Sequence, residues 1–284
     1  MKKPKMLMIS EKLSLQESTK EVYQKYKKQI PYDIDFVSFS GHVVGLVMPE
    51  EYNPEWKKWN LKDLPIIPDE FQYKMLKDKE KHYKKAAEML KKNKYDYICN
   101  NCDPGREGQL IFHAFLTTIE GKIPPIKRLW TSDQTESSLK NALMNLRDES
   151  EPFLQGMTDA SFLRSYMDWL VGMNFSRAIS LVSNQKVNLG RVMTPTLNIV
   201  VQRELELRNF KPKDFWQLES DFGKYKGIYI KDNKTVTFYD KKQAKKALKQ
   251  VGEQGTITKL DKKQTKSYAP RLHSLFDLQS EANE

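Results

Sequence analysis

The sequence predicts an α/β protein with a Rossmann-like parallel sheet, followed by an α-rich unit and then a β-rich segment. Strand and helix patterns alternate through the first half of the chain, which is typical of βαβ units with helices on both faces of a sheet. Helical patterns dominate from about residue 159 to 208, and short strand patterns separated by turns follow residue 213. We therefore expect domains at 1–152, 153–212 and 213–284.

The composition excludes several classes of protein. The chain has 284 residues, of which 39% are hydrophobic, a fraction too high for a disordered chain. No stretch approaches the ~20 apolar residues of a membrane-spanning helix. The N-terminus lacks the apolar run of ~7–15 residues found in a secretory signal. Two cysteines exclude a disulfide scaffold and fit a reducing compartment, so we expect a cytoplasmic protein that does not contact membranes.

The charge balance makes a polyanion the first partner to consider. Lys and Arg total 48 and Asp and Glu total 37, which gives a net charge of +11. Such an excess attracts nucleic acids over long distances. Composition alone slightly favours a simpler explanation, a soluble protein with a lysine-rich surface. The sequence indicates no particular protein partner.

In the first half, short apolar runs predict buried strands, and apolar residues spaced three or four apart predict helices. The predicted strands are 5–9, 34–39 with a continuation over 43–47, and 95–102, and the predicted helices are 14–28, 74–94, 109–120 and 136–146. Four prolines and two tryptophans within 48–70 predict a packed, irregular excursion.

In the second half, the helical region from 159 to 208 contains five arginines, which are Arg164, Arg177, Arg191, Arg203 and Arg208. Strand patterns at 215–222, 226–231 and 234–239 predict a meander. A basic helix over 241–251 and a strand over 256–260 complete the prediction.

Acidic and basic residues follow two of the predicted strands. Asp103 and Glu107 lie on the turn after strand 95–102, and Glu11 follows strand 5–9. If these strands are neighbours, the three carboxylates converge beside Lys12 and Arg106 at the ligand-binding edge of the sheet. Carboxylates there suit Mg²⁺ or acid–base chemistry, and the cations suit a phosphodiester. An ordinary acidic turn that caps a helix is the alternative.

Several longer segments resemble a known family. SEK (10–12), SGHVVGL (40–46) and DPGREGQLIF (103–112) resemble the Toprim metal-binding fold of topoisomerases and primases. DWLVGMNFSRA (168–178) and NLGRVMTPTLNIVVQRELELRNFKP (188–212) look like type IA DNA topoisomerases, the topoisomerase III branch in particular. The resemblance continues through PRLHSLFDLQSEANE (270–284).

The resemblance implies an enzyme that binds single-stranded DNA and cuts it with a tyrosine, leaving a 5′-phosphotyrosyl bond. The enzyme passes a strand through the gap and reseals it with Mg²⁺ and without ATP. It also implies that 1–152 is the Toprim domain, 153–212 a DNA-binding unit and 213–284 the start of a β-rich arch. By family position, the catalytic residues are Glu11, Lys12 and Arg191, the Mg²⁺ ligands are Glu11, Asp103 and Glu107, and the DNA-binding residues are Arg106, Arg164, Asp168, Arg177, Arg191 and Thr194.

The sequence departs from the family pattern in two ways. Gly105 stands where the family turn has a second Asp, which should weaken or abolish Mg²⁺ binding, and Met193 stands where many relatives have Gln. None of the 13 tyrosines has the Tyr-x-Arg-Thr context of the family nucleophile. We therefore expect an N-terminal portion of a topoisomerase that is inactive alone. A non-catalytic single-stranded DNA-binding remnant is the alternative; the GRVMTPTL segment argues against a primase or nuclease.

Two further features have plain explanations. Cys99 and Cys102 form a C-x-x-C pattern, but a second pair and a nearby histidine are missing, so we expect buried structural cysteines and not a zinc site. His42 lies in a family segment close to the acidic turn. A structural role is the main expectation for this histidine, and contact with the metal turn is the minority one.

Overall fold

The chain divides into two compact units, Met1–Leu205 and Glu206–Glu284. The structure is a computed structural model that describes residues 3–92, 94–232, 234–252 and 254–283, without the side chains of residues 275 and 276. The predicted domain boundaries at 152 and 212 stay predictions, and the outer limits at 1 and 284 lie outside the described residues.

A five-stranded sheet forms the centre of the first unit. In chain order the strands of this unit are β1 (Lys5–Ser10), β2 (Asp33–Ser38), β3 (Val44–Leu46), β4 (Tyr73–Met75), β5 (Tyr97–Asn101), β6 (Ile126–Arg128) and β7 (Arg147–Asp148). The sheet order is β2-β1-β5-β6-β7, with β7 antiparallel and the other four parallel; β3 and β4 form a separate antiparallel pair. The predicted α/β class, with a Toprim-like parallel sheet, is confirmed.

Helices cover both faces of this sheet. The helices of the first unit are α1 (Leu13–Tyr26), α2 (Pro49–Tyr52), α3 (Glu80–Lys92), α4 (Arg106–Thr117), α5 (Glu136–Met144) and α6 (Pro152–Ser183), followed by α7 (Met193–Arg208), which crosses the division between the units. Because side chains alternate along a strand, Leu7 and Ile9 pack in one core with α3 and α4, whereas Met6 and Met8 pack in another with α1 and α5. The alternation therefore fixes which helices lie on each face.

Most of the predicted elements in the first unit are confirmed within a few residues. The predicted helix over 74–94 is wrong at its start, because Tyr73–Met75 pairs as β4 with Val44–Leu46 and the helix begins at Glu80. The predicted continuation of the second strand over 43–47 is also wrong. Gly41, at φ 71°, turns the chain after β2, so β3 belongs to the separate pair. Strands β6 and β7 were not predicted from the sequence.

The second unit contains short strands and two helices. They are β8 (Glu219–Asp221), β9 (Lys226–Ile228), β10 (Ile230–Lys231), β11 (Lys234–Thr235), α8 (Lys241–Lys249) and α9 (Leu275–Ala282). The strands form two antiparallel pairs, which confirms strands in this region but shorter ones than predicted. The predicted strand over 256–260 is wrong: residues 254–274 form no regular element. Ile257 and Leu260 are 72% and 75% exposed there, and among the described residues no strand pairs with this segment.

Within the described parts of the chain, none of the helices combines the length and the apolar character needed to cross a bilayer.

Candidate functional site

The pairing of β1 with β5 positions the predicted acidic residues. Ser10 at the end of β1 is the register partner of Asn101 at the end of β5. The buried Asn101 amide donates to Ser10 Oγ at 2.9 Å and to Thr19 Oγ1 at 3.1 Å, which ties both strand ends to α1. The residues that follow the two strands, Glu11 and Asp103, therefore emerge side by side at the carboxyl edge of the sheet.

Five side chains form what we call the rim cluster: Glu11, Lys12, His42, Asp103 and Glu107. Lys12 Nζ lies 3.0 Å from Asp103 Oδ2, and His42 Nε2 lies 2.6 Å from Glu107 Oε1. The backbone N–H of Asp103 points at Glu11 Oε2 at 3.4 Å. The structure thus brings together four of the residues predicted from the sequence and adds His42, the minority expectation.

Glu11 has an altered protonation equilibrium. Partial burial, with the negative charge of Asp103 as the next contribution, raises the pKa of the Glu11 carboxyl above its ordinary value of 4.5. The hydrogen bond from Asp103 N–H and the charges of Lys12 and His42 oppose this rise. A carboxyl with a raised pKa, beside a lysine, can exchange a proton with a bound group.

Arg128 supports the turn of the rim cluster from below, although the sequence reasoning did not identify it. Its side chain is fully buried, and it donates to the carbonyl oxygens of Asn100, Cys102 and Leu129 through Nη1 and of Asp103 through Nη2, at 2.7–2.9 Å. The carbonyl groups compensate part of the cost of burying this charge. Only the pairing of β6 with β5 brings the guanidinium under the turn, so no local sequence signal could have found it.

Helix α4 packs tightly against the same turn. Gly108 is buried in its first turn, and a Cβ at this position would lie 2.1 Å from the Asp103 carbonyl oxygen. Gly105 is different: its backbone is extended and a Cβ would meet nothing within 4 Å. Arg106 is exposed, and among the described residues it forms no hydrogen bond or ion pair. Its guanidinium is therefore available to an external anion.

The residues of the rim cluster do not fit a metal ion as they are placed. Asp103 is paired with the Lys12 ammonium group, and Glu107 is hydrogen-bonded to a ring nitrogen of His42. Within the described ranges, no three His, Cys, Asp or Glu side chains are grouped so that they could hold a metal. Gly105 supplies no side-chain donor. The predicted Mg²⁺ ligands therefore stay a prediction.

A second group of predicted residues lies on α6 and the segment before α7. Arg191 Nε donates to Asp168 Oδ1 at 2.7 Å, and Arg164 Nε lies 3.8 Å from Asp168 Oδ2. Thr194 Oγ1 accepts from the Gly190 N–H at 3.1 Å and so closes the turn that carries Arg191. We call Arg164, Asp168 and Arg191 the arginine cluster. In the described chain, no hydrogen bond or ion pair joins it to the rim cluster.

The segment leading to Arg191 is fastened along α6. Ser180 Oγ accepts from the N–H of Val187 at 2.9 Å, and Ser176 Oγ accepts from the N–H of Leu189 at 2.8 Å. These hydroxyl groups accept hydrogen bonds from backbone N–H groups that, in a regular strand or helix, would be donated to a carbonyl oxygen. The segment that carries Arg191 is therefore held against α6.

Arg177 occupies a place that the sequence reasoning did not foresee. Arg177 is only 4% exposed, and its Nη1 donates a hydrogen bond to the Trp56 carbonyl oxygen at 2.7 Å. The guanidinium also lies over the Trp59 ring, with its carbon 5.3 Å from the centroid. As placed, Arg177 fastens the excursion between β3 and β4 to α6, and a direct contact with DNA would require this packing to open.

The two cysteines are buried and unbonded, as expected of structural residues. Burial raises the pKa of the Cys99 thiol to about 12, so it is neutral at physiological pH.

Comparisons with known proteins agree with the sequence motifs. Residues 154–284 match the model of a family described as DNA topoisomerase. The chain is 33% identical over 245 residues to DNA topoisomerase 3 of Bacillus cereus (86% of this chain) and 35% identical over 243 residues to DNA topoisomerase 3 of Staphylococcus epidermidis (85% of this chain). The chain spans about a third of the length of these relatives, 33% in both cases.

Gly108→Ala should destabilise the protein, because the new methyl group would overlap the Asp103 carbonyl and push α4 away from the turn. We expect a loss of about 3 kcal/mol in the free energy of unfolding, measured by denaturant titration. Gly105→Ala is the matched control and should unfold like the wild type. Equal stability of the two variants would contradict the close packing at Gly108.

Glu11→Gln should stabilise the protein at neutral pH. Because the pKa of Glu11 is raised in the folded state, the folded chain holds this proton more tightly, and stability is lost as the pH rises through the folded pKa. The variant should therefore have a higher Tm than the wild type at neutral pH and the same Tm below the ordinary pKa of 4.5. Glu17→Gln, at an exposed position of α1, is the control. A pH-independent difference would refute the assignment.

Gly105→Asp should create a stronger Mg²⁺ site. The backbone is extended and the space around position 105 is open, so the carboxylate adds a donor and a charge without strain. We expect the Kd for Mg²⁺, measured by calorimetry, to fall roughly tenfold or more. Gly105→Asn is the control of equal size without the charge. The same Kd for both variants would show that the turn is not a metal site.

Proposed function

We infer that the chain belongs to the topoisomerase III branch of the type IA DNA topoisomerases, and we propose that it grips the backbone of single-stranded DNA for strand cleavage, strand passage and religation. The observation that carries the proposal is the convergence of Lys12 with Glu11, Asp103 and Glu107 at the carboxyl edge of β1 and β5. Exchange of one phosphodiester bond for another needs little energy input, so ATP is not required.

Lys12 is the residue proposed to hold the scissile phosphate. It is half exposed and is paired with Asp103, so its ammonium group can turn toward a phosphate oxygen. Arg106 and the N-terminus of α4 lie on the same turn and add positive potential. Together these groups support the binding of a phosphodiester at the rim cluster.

Glu11 is proposed to move the proton of the reaction. Its raised pKa means that the carboxyl holds a proton more readily than an ordinary glutamate. It can therefore give that proton to an oxygen that leaves phosphorus and take it back when the bond is remade. Lys12 and Arg191 would stabilise negative charge that develops on the phosphate.

The arginine cluster is proposed to guide the DNA strand along α6. Arg164 and Arg191 share one carboxylate, Asp168, so the cluster keeps a net positive charge. A half-exposed guanidinium that already has one carboxylate partner can still donate to phosphate with its remaining N–H groups. Thr194 would act by holding the turn of Arg191, through its bond to Gly190.

We further propose that the chain does not relax DNA by itself. Among the described residues, no tyrosine hydroxyl forms a hydrogen bond with a member of the rim cluster. The resemblance implies Mg²⁺ for the whole enzyme, but the side-chain donors of the rim cluster, as placed, do not fit the ion. Gly105 and the lack of a tyrosine at the rim favour a second candidate function, non-catalytic binding of single-stranded DNA.

Lys12→Gln should weaken the binding of single-stranded DNA, measured by fluorescence anisotropy of a labelled oligonucleotide at several salt concentrations. Loss of one phosphate contact should reduce the slope of log K against log salt concentration by about 0.7. Lys85→Gln, on the exposed face of α3, is the control. Equal affinities and slopes for the two variants would refute the role of Lys12. Mg²⁺-dependent relaxation of supercoiled plasmid by the chain would refute the proposed lack of a nucleophile.

A further inference from the structure

The edge of the sheet opposite the rim cluster carries a groove of about 1360 Å³. The amino ends of the parallel strands meet at this edge: β1 begins at Lys5, β2 begins at Asp33, and Asp96 directly precedes β5. Helix α1 also ends there, so the residues around Tyr26 line the groove. We call this cavity the amino-edge groove. Six of its twelve lining residues are lysines, namely Lys3, Lys5, Lys25, Lys27, Lys28 and Lys94.

The acidic residues of the groove are fewer, and both are already bonded. Among the described lining residues, two are acidic, Asp33 and Asp96. Asp33 Oδ1 lies 3.5 Å from Lys27 Nζ, and Asp96 Oδ2 accepts from the backbone N–H of Lys5 at 2.7 Å. Six lysines that face two carboxylates leave an excess of positive charge, which favours an anionic ligand.

Two of the lysines are available to such a ligand. Lys5 and Lys25 pair with carboxylates that do not line the groove, at 3.1 and 2.7 Å. In the part of the chain that the structure describes, the ammonium groups of Lys28 and Lys94 form neither an ion pair nor a hydrogen bond, and both residues are exposed. An external anion therefore does not have to displace a carboxylate to reach them.

The end of helix α1 would by itself repel an anion, because its last carbonyl groups carry partial negative charge. Lys3 counteracts this effect. Its Nζ donates to the carbonyl oxygens of Lys27 and Ile30 at 2.6 and 2.5 Å. These carbonyl groups are thus satisfied within the protein, and the Lys3 charge offsets the dipole of the helix.

The basic surface extends beyond the groove. A second cavity of about 800 Å³ shares Lys94 with the groove and adds Lys91 and Lys122, with one acidic residue, Glu120. A surface of this extent suits a polymer with a negative charge on every phosphate better than a small anion. Tyr26 lies among the lysines of the groove, and a positively charged groove with an aromatic side chain is typical of sites for single-stranded nucleic acid.

We propose that the amino-edge groove binds the phosphate backbone of single-stranded DNA at a second site, with Lys28 and Lys94 as the principal contacts. Strand β1 separates this groove from the rim cluster by about 17 Å, at about 3.3 Å per residue. This distance exceeds the screening length of about 8 Å at physiological salt, so the two sites bind independently. The inference goes beyond the proposed function, which concerns the rim cluster and the arginine cluster.

The first measurement counts the short single-stranded oligonucleotides that the chain binds at saturation, by calorimetry. The chain should bind two, and Lys28→Gln/Lys94→Gln should bind one. Lys81→Gln/Lys85→Gln, on the exposed face of α3, is the matched control, because each double variant removes two exposed lysines and lowers the net charge of +11 by two. The control should still bind two. The same stoichiometry for the two double variants would overturn the proposal, because the groove lysines would then contribute no more than net charge does.

Chemical acetylation of lysines, measured by mass spectrometry, locates the contact. Saturating oligonucleotide should slow the acetylation of Lys28 and Lys94 several-fold and leave that of Lys81 and Lys85 unchanged. Lys12→Gln should not remove this protection, because the two sites are separate. Absent protection, or protection that Lys12→Gln abolishes, would overturn the proposal. Weaker DNA binding by Lys12→Gln together with unprotected groove lysines would overturn the second site and leave the proposed function of the rim cluster standing.

Discussion

The parallel pairing of β1 with β5 is the constraint on which the candidate site depends. It sets two strand ends, 91 positions apart in the chain, next to each other. Buried hydrogen bonds from the Asn101 side chain hold the two strand ends in register. The Arg128 guanidinium donates hydrogen bonds to the carbonyl oxygens of Cys102 and Asp103 in the following turn. Buried donors that lack partners cost free energy, so these bonds leave the turn little freedom. Glu11 and Asp103 are therefore neighbours before any ligand binds.

Among the described residues, two of the three carboxylates at this edge are paired with a side chain, and the third is not. Lys12 pairs with Asp103 and His42 pairs with Glu107, whereas Glu11 shares only a backbone N–H and carries a raised pKa. A phosphate that approaches Lys12 competes with Asp103 for the same ammonium group. The arrangement suits a site in which the binding of a phosphodiester and the release of a carboxylate occur together.

The segment that carries Arg191 is held by side chains of α6. The hydroxyl groups of Ser180 and Ser176 accept from the N–H groups of Val187 and Leu189, and Arg191 Nε donates to Asp168. The position of Arg191 therefore depends on side-chain hydrogen bonds to a neighbouring helix.

The sequence by itself determined the α/β class, most element positions in the first unit and the residues of the acidic turn, because alternation, helical spacing and glycine-rich turns are local signals. It did not determine where helix α3 begins, that 256–260 lacks a strand, or that Arg177 is buried. Tertiary structure decided these points. A strand forms only where a partner completes its hydrogen bonds, and an arginine is buried only where distant carbonyl groups or rings receive it. The placing of Arg128 under the turn has the same reason: its partners come from another strand, which no local pattern encodes.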